Sequence, residues 1–323
     1  MNTWNDVVQP FLSSQALVWG PMVAAHQLRS RGWIRESIGK PMHTVTFTLF
    51  GPLIYALGVW RLDLSFDRWY LVPIANAILL ILSTLAAVIL VPVLARSRQA
   101  RGTLSIMIPI SNQGYTLAGF LTILFISDEA YGYNALLMIP AGFLLPLLWL
   151  PLAEHWGRGE HTSIWVNYRR GMFSPMSLPL VGVIIGLLLN MLAVPMPAVA
   201  AGGLRWLVFL ATANTMFALG ACLHVRHLFG FFRTLRWVFL FKFVLHPALM
   251  FGLCLLLQLK GMAAAALFIA SIMPAGVMSV SLSSIYRLDL NLGNAGYLWT
   301  TLAFMIIVLP ILIFLLRLPL FAY

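Results

Sequence analysis

Long apolar runs, separated by short polar or basic interruptions, set the pattern of this chain. The interruptions leave candidate spans at about 9–28, 39–60, 69–95, 102–127, 131–153, 174–193, 204–224, 235–258, 261–286 and 292–317. Roughly 20 apolar residues suffice for a helix to cross a hydrocarbon core about 30 Å thick, and each run is near that length. A segment facing lipid must satisfy its own backbone hydrogen bonds, so each span is expected as a helix. The alternating apolar–polar period of a barrel strand is missing, which argues against a β-barrel. The expected fold class is an all-α integral membrane protein with ten transmembrane helices.

Composition agrees. Of 323 residues, 61% are hydrophobic and 9% charged, and the mean hydropathy is +0.92. Soluble domains carry roughly 25% charged residues to wet their surface, so most of this surface is expected to face the lipid bilayer. The net charge of +11 does not point to nucleic acid as a partner, because Lys and Arg lie singly or in small groups between apolar runs, as in cytoplasmic loops. Cys222 and Cys254 both sit within apolar runs, so no disulfide framework or zinc site is expected, nor any other metal or cofactor. Asp6 precedes the first apolar run, which begins near Pro10; lacking a basic stretch there, a cleavable leader is not expected.

Charge orients the spans. Arg29, Arg31, Arg35 and Lys40 follow span one; Arg96, Arg98 and Arg101 follow span three. Arg158, Arg169 and Arg170 follow span five, Arg226, Arg233 and Arg236 span seven, and Arg287 span nine. The opposite side holds Arg61, Arg68, Arg205, Lys260 and Arg317. Fourteen against five places the loops after odd spans in the cytoplasm and both termini outside. Spans one to five and six to ten then run in opposite senses. Phe11–Gly20 resembles Phe173–Gly182 at an offset of 162 residues, and the same offset aligns Tyr55–Gly58 with Phe217–Gly220. Ser105–Pro109 resembles Ser271–Pro274 at nearly that offset. Matches in register between halves of opposite orientation point to a five-plus-five inverted repeat, a transporter signature. The halves are 1–157 and 174–323, joined by a cytoplasmic linker at 158–173.

Candidate chemistry gathers in spans four and nine. Span four carries Pro109, Ser111, Asn112, Gln113, Gly114 and Tyr115; span nine, its mate, carries Pro274, Ala275, Gly276, Ser279, Ser281, Ser283 and Ser284. Proline removes a backbone donor and clashes with the preceding turn. Two helices broken at corresponding points of an inverted repeat mark a midplane binding site, and the half-helix N-termini exposed there favour an anionic group. Simple kinks, common in membranes, are the alternative. Lys242 and His246 lie one turn apart in span eight. A cation inside a span costs at least about 2.5–3.5 kcal/mol and is a functional candidate by default. Lying six residues from Arg236, Lys242 could instead snorkel to the interface. Tyr55 and Asn214 are candidates for the same cavity; a buried Asn bonding a neighbouring helix is equally consistent with the sequence.

All nine carboxylates, Asp6, Glu36, Asp63, Asp67, Asp128, Glu129, Glu154, Glu160 and Asp289, fall in loops or near span ends. Proton relays and many sodium sites use intramembrane Asp or Glu. The pattern therefore speaks against a carboxylate-based antiporter or an acidic cation channel and allows an anion path. No HExxH, no intramembrane aspartate pair and no Ser–His pair at catalytic spacing occurs, so no enzyme activity is expected.

At the two interrupted spans the chain resembles the auxin efflux carrier family, the PIN-like transporters that include bacterial dicarboxylate permeases. The resemblance rests on Asn112-Gln113-Gly114-Tyr115, on Pro274-Ala275-Gly276 leading to Tyr286-Arg287-Leu288-Asp289, and on the closing LWTTLAFMIIVLPIL. The chain departs from the family where Gly119 comes late with no proline behind it, and in a central loop reduced to about 155–173; auxin itself is not implied as substrate. What the resemblance implies is a permease of the bacterial inner membrane with broken helices crossing at Pro109 and Pro274 and Asn112 on the substrate carboxylate. It also implies a scaffold of helices 1, 2, 6 and 7, a moving transport domain of helices 3–5 and 8–10, and a scaffold-mediated homodimer. The function expected is secondary transport of a small organic anion by alternating access. A sodium-coupled symporter of the bile-acid type, which would need oxygen-rich sodium sites, is one alternative. A non-transporting membrane sensor or assembly protein is the alternative from another class.

Overall fold

The computed structural model describes residues 8–64, 68–157, 163–223 and 228–321. Asp6, Asp67, Arg158, Glu160 and Arg226 lie outside the described residues. Among those described, the regular elements are helical. They are α1 Gln9–Ser30, α2 Glu36–Trp60, α3 Leu71–Leu94, α4 Arg98–Met107, α5 Tyr115–Phe125, α6 Ala130–Gly157 and α7 Ile164–Met172. They continue with α8 Pro175–Met191, α9 Ala198–Cys222, α10 Phe232–Leu256, α11 Gly261–Ser271, α12 Val277–Ile285 and α13 Leu290–Leu315.

Six of these, α2, α3, α6, α9, α10 and α13, are long and apolar enough to cross a membrane, and α5, α8 and α11 are shorter apolar helices. Side chains such as Val93 (86% exposed) and Leu256 (78%) lie open on the outside, which water would penalise and lipid would not. The chain is thus an all-α protein of the multi-pass membrane type. Two expected spans, 102–127 and 261–286, are each split into half-helices: α4 and α5, α11 and α12. The expected linker 158–173 contains a short helix, α7, which ends on Arg169 and Arg170 and exposes Trp165.

Proline shapes several helices without ending them. Five-residue π-helical turns at Thr46–Phe50, Phe241–Leu245 and Phe304–Val308 stand immediately ahead of Gly51-Pro52, His246-Pro247 and Leu309-Pro310. A proline ring cannot tolerate the carbonyl one turn earlier, and widening the turn relieves that clash. A further π-turn, Leu145–Trp149, contains Pro146.

Helices α1 and α9 pack along their length, as do α8 and the second half of α2. Glycine permits both approaches: a Cβ on Gly220 would run into the Met22 carbonyl, and one on Gly182 into that of Pro52. Small residues at such seams let membrane helices meet backbone to backbone. Asn190 on α8 then caps the end of α2, donating through Nδ2 to the carbonyls of Val59, Trp60 and Leu62 at 3.0, 3.0 and 2.6 Å. At that same end Asp128, in the α5–α6 turn, accepts from Arg205 on α9 at 2.8 Å and lies 3.6 Å from Arg61 after α2. The half-helices fill the centre. Every residue from Ala263 to Ser271 of α11 is buried, as is Gly102–Met107 of α4.

Candidate functional site

The two breaks meet. After α4 the chain turns through Ile108 and Pro109 into an extended stretch, and after α11 it does so through Ile272, Met273 and Pro274. These stretches pair antiparallel at Ser111 and Ala275. The Asn112 amide donates to the Pro274 carbonyl (2.9 Å) and the Gly276 amide donates to the Ile110 carbonyl (3.0 Å). Gly276 is required by this closeness, since a Cβ there would lie 2.8 Å from the Ser111 carbonyl oxygen. Thr300 of α13 braces the pair by accepting from the Ala275 amide at 3.1 Å. A helix that gives up its own ladder must find other partners for the freed groups, and here each break supplies the other's.

A cavity of about 850 Å³, its mouth included, opens beside this crossing. Its walls come from the crossing itself (Ile110–Thr116 and Gly276–Met278), from α2 (His43, Thr46, Phe47, Tyr55) and α6 (Met138, Ala141, Trp149), and from Met176, Pro179 and Thr215. Apolar surface dominates, with polarity confined to the crossing and a few hydroxyls. Apart from Tyr55, the contributions of α2, α8 and α9 come from the helix halves that adjoin the arginine-rich loops, so the cavity lies toward that side. The first turns of α5 and α12 both border it. The opening amides of a helix have no partner within the helix and carry partial positive charge.

Hydrogen-bond accounting defines what the crossing has to offer. Several of its carbonyls are engaged: Ile110 accepts from Gly276, Asn112 from Ala118, Gly114 from Gly119 and Pro274 from Asn112. The Gln113 carbonyl accepts from Asn134 Nδ2 at 3.2 Å. Its donors are less occupied. Asn112, 5% exposed, accepts through Oδ1 from Thr116 Oγ1 at 2.6 Å, and its Nδ2 has no partner. Tyr55 is buried with its hydroxyl unpartnered, over Gly114 and edge-on to Tyr115 with ring centroids 5.5 Å apart. Ser111 Oγ accepts from Lys242 Nζ at 2.7 Å, which leaves its own proton to donate.

The structure therefore gathers Ser111, Asn112, Gln113, Gly114, Tyr115, Gly276 and Tyr55 around one cavity. Pro109, Pro274 and Ala275 frame the crossing without lining it. Ser279 bonds back to the Gly276 carbonyl at 2.6 Å, and Ser283 bonds to that of Ser279. Asn214 takes the helix-bonding role left open by sequence, donating to the Met42 carbonyl (3.0 Å) and to Thr46 Oγ1 (2.7 Å); its neighbour Thr215 lines the cavity instead. Lys242 does not snorkel outward, being wholly buried and turned to Ser111. His246 faces Ser83 Oγ at 2.7 Å, away from the cavity. His43, Thr46, Phe47, Trp149 and Met176 carry no local signal in the sequence, for they come from distant helices and sit in ordinary apolar text. Ile110, Thr116, Val277 and Met278 sit within or directly extend motifs already marked.

Among the described residues, no three His, Cys, Asp or Glu side chains come together to hold a metal ion. Models of known protein families give no match to the chain, and no curated protein matches it.

Proposed function

We propose that the chain is a secondary carrier for a small organic anion, bound at the crossing and moved by alternating access rather than transformed by an enzyme reaction. The observation that carries this reading is the set of free donors at the crossing: Asn112 Nδ2, the Tyr55 and Ser111 hydroxyls, and two helix N-termini. Donors without acceptors fit a carboxylate. A sodium site would need several oxygen ligands at about 2.3–2.6 Å, as hard cations do, and it would gain nothing from the free donors at the crossing, which favour an anion.

The rest of the cavity selects the solute's body. Phe47, Met138, Trp149, Met176, Pro179 and Met278 make most of that wall apolar, with His43, Thr46 and Thr215 as its polar members, and a second carboxylate against the apolar part would be desolvated and unpaired. The substrate class is a monocarboxylate with an apolar body.

Ten spans in a five-plus-five inverted repeat form the frame of the proposal. Support comes from the α4/α5 and α11/α12 breaks, from the paired seams α1 with α9 and α8 with α2, and from π-turns in both α6 and α13. In this reading spans one, two, six and seven (α1, α2, α8 and α9) form the scaffold and the remaining spans carry the crossing. The protein sits in a bacterial inner membrane with both termini outside, and pairs through its scaffold. A ligand-stabilisation screen of purified protein against mono- and dicarboxylates, with and without sodium, tests it. Apolar monocarboxylates are expected to raise Tm without sodium. A sodium requirement would move the protein to the symporter class, and silence across the panel would favour a non-transporting role.

A further inference from the structure

The anion cavity uses two of the four half-helix ends that meet at the crossing. The other two, the C-termini of α4 at Met107 and of α11 at Ser271, end within a few residues of the same antiparallel pair. A helix C-terminus carries partial negative charge and favours a cation. Where two such ends converge in a low-dielectric interior, something positive is needed nearby.

Lys242 reaches the same antiparallel pair. It lies in the π-helical turn Phe241–Leu245 of α10, is 0% exposed, and places Nζ 2.7 Å from Ser111 Oγ. Ser111 is the residue that pairs with Ala275. The surroundings are apolar: Phe241 belongs to one cluster with Ala87, Val91, Leu104, Met107, Ile108 and Ala275. Among the described residues no ion pair joins Lys242 to a carboxylate. His246, one turn on, is engaged with Ser83. An ammonium there costs at least about 2.5–3.5 kcal/mol, and without an acid to pair it the helix-end dipoles are what can offset that cost.

We infer that the Lys242 ammonium is a tethered cation, filling at the crossing the place that a free coupling cation would otherwise take and turning the Ser111 hydroxyl toward the anion cavity. Only the last step rests on the anion-carrier reading. The consequence is a crossing whose integrity is indifferent to sodium and dependent on one covalently attached positive charge.

Thermal unfolding of the purified full-length protein, at constant ionic strength in sodium, methylammonium or choline chloride, reads this without any transported solute. The wild type is expected to unfold at the same temperature in all three salts. Lys242→Ala is expected to unfold several degrees lower and to be restored in part by methylammonium but not by the larger choline. A sodium-dependent wild type, or a Lys242→Ala variant that ignores cation identity, overturns the inference. Should that variant fail to accumulate, Lys242→Arg and Lys242→Met separate charge from shape by hydrogen exchange at the Asn112 and Gly276 amides. Exchange tenfold or more faster in Met than in Arg assigns the charge; equal exchange in the two assigns mere packing. A failed carboxylate screen with these results intact would sink the transport reading and leave the tethered cation standing.

Discussion

Asn112 concentrates the chemistry of the crossing in one side chain. Its backbone closes the pair with Pro274, its Oδ1 is fixed by Thr116, and its Nδ2 waits without a partner. Asn112→Ala should keep the backbone bond and lose the side-chain donor. Hydrogen bonds to a charged group contribute roughly 1.5–3 kcal/mol, so affinity for a carboxylate should fall about tenfold or more, measured as ligand-induced Tm shift or proteoliposome flux. Asn112→Asp is the sharper variant, because it puts a negative charge where the anion binds; its loss should exceed that of alanine. Near-normal flux in both would remove Asn112 from the site. Asn214→Ala should behave differently, with stability lowered by about 1 kcal/mol through the lost bonds to Met42 and Thr46 and carboxylate affinity little changed. Sequence marked Asn112 by its place at the break and left Asn214 open between cavity and helix bonding, and only the latter's neighbours across the fold decide its role.

At the scale of elements, the helix seams make a contrast within a single helix. Gly220 on α9 abuts the Met22 backbone, whereas nothing lies within 4 Å of a Cβ placed on Gly202. Gly220→Ala should cost about 1–3 kcal/mol by overpacking, and Gly202→Ala should be neutral or stabilise by up to about 1 kcal/mol, both read from thermal unfolding. Helix positions were legible because the length of an apolar run is a local property. α2, expected at 39–60, spans Glu36–Trp60, and α10, expected at 235–258, spans Phe232–Leu256. Unlike Pro52, Pro247 and Pro310, which the helices absorb, Pro109 and Pro274 fall at matching points of two spans near glycine and polar residues, so the breaks were legible. The use of the serines was not. A helical Ser or Thr can spend its hydroxyl on a carbonyl a turn earlier, as Ser279 and Ser283 do, and nothing in the text of span nine distinguishes that from a hydroxyl facing a ligand. The far wall of the cavity was hidden for a tertiary reason: Thr46, Trp149 and Met176 become neighbours only when α2, α6 and the start of α8 fold around the crossing.

For the whole molecule, the arginine distribution and the position of the cavity make one prediction together. With Cys222 and Cys254 replaced by serine, single cysteines at Arg31 and Arg287 should react with a membrane-impermeant maleimide from one face, and a cysteine at Lys260 from the other. Labelling of all three from the same face would dismantle the orientation, and with it the assignment of the cavity to the cytoplasmic side. Correct labelling would leave the monocarboxylate preference to be decided by flux.

Asp128 has a consequence for how easily such a machine could cycle. Its contacts to Arg61 and Arg205 clasp the far end of α2 and α9 to the α5–α6 turn, on the face away from the cavity mouth. The partners are partly wetted, and an ion pair of that kind contributes only about 0–1 kcal/mol and weakens as salt rises. A fastening so weak would hold one resting state without trapping it. Asp128→Asn should accordingly change the ratio of the two facing states by no more than about fivefold, seen as altered accessibility of a reporter cysteine near Tyr133, and concentrated salt should mimic the variant.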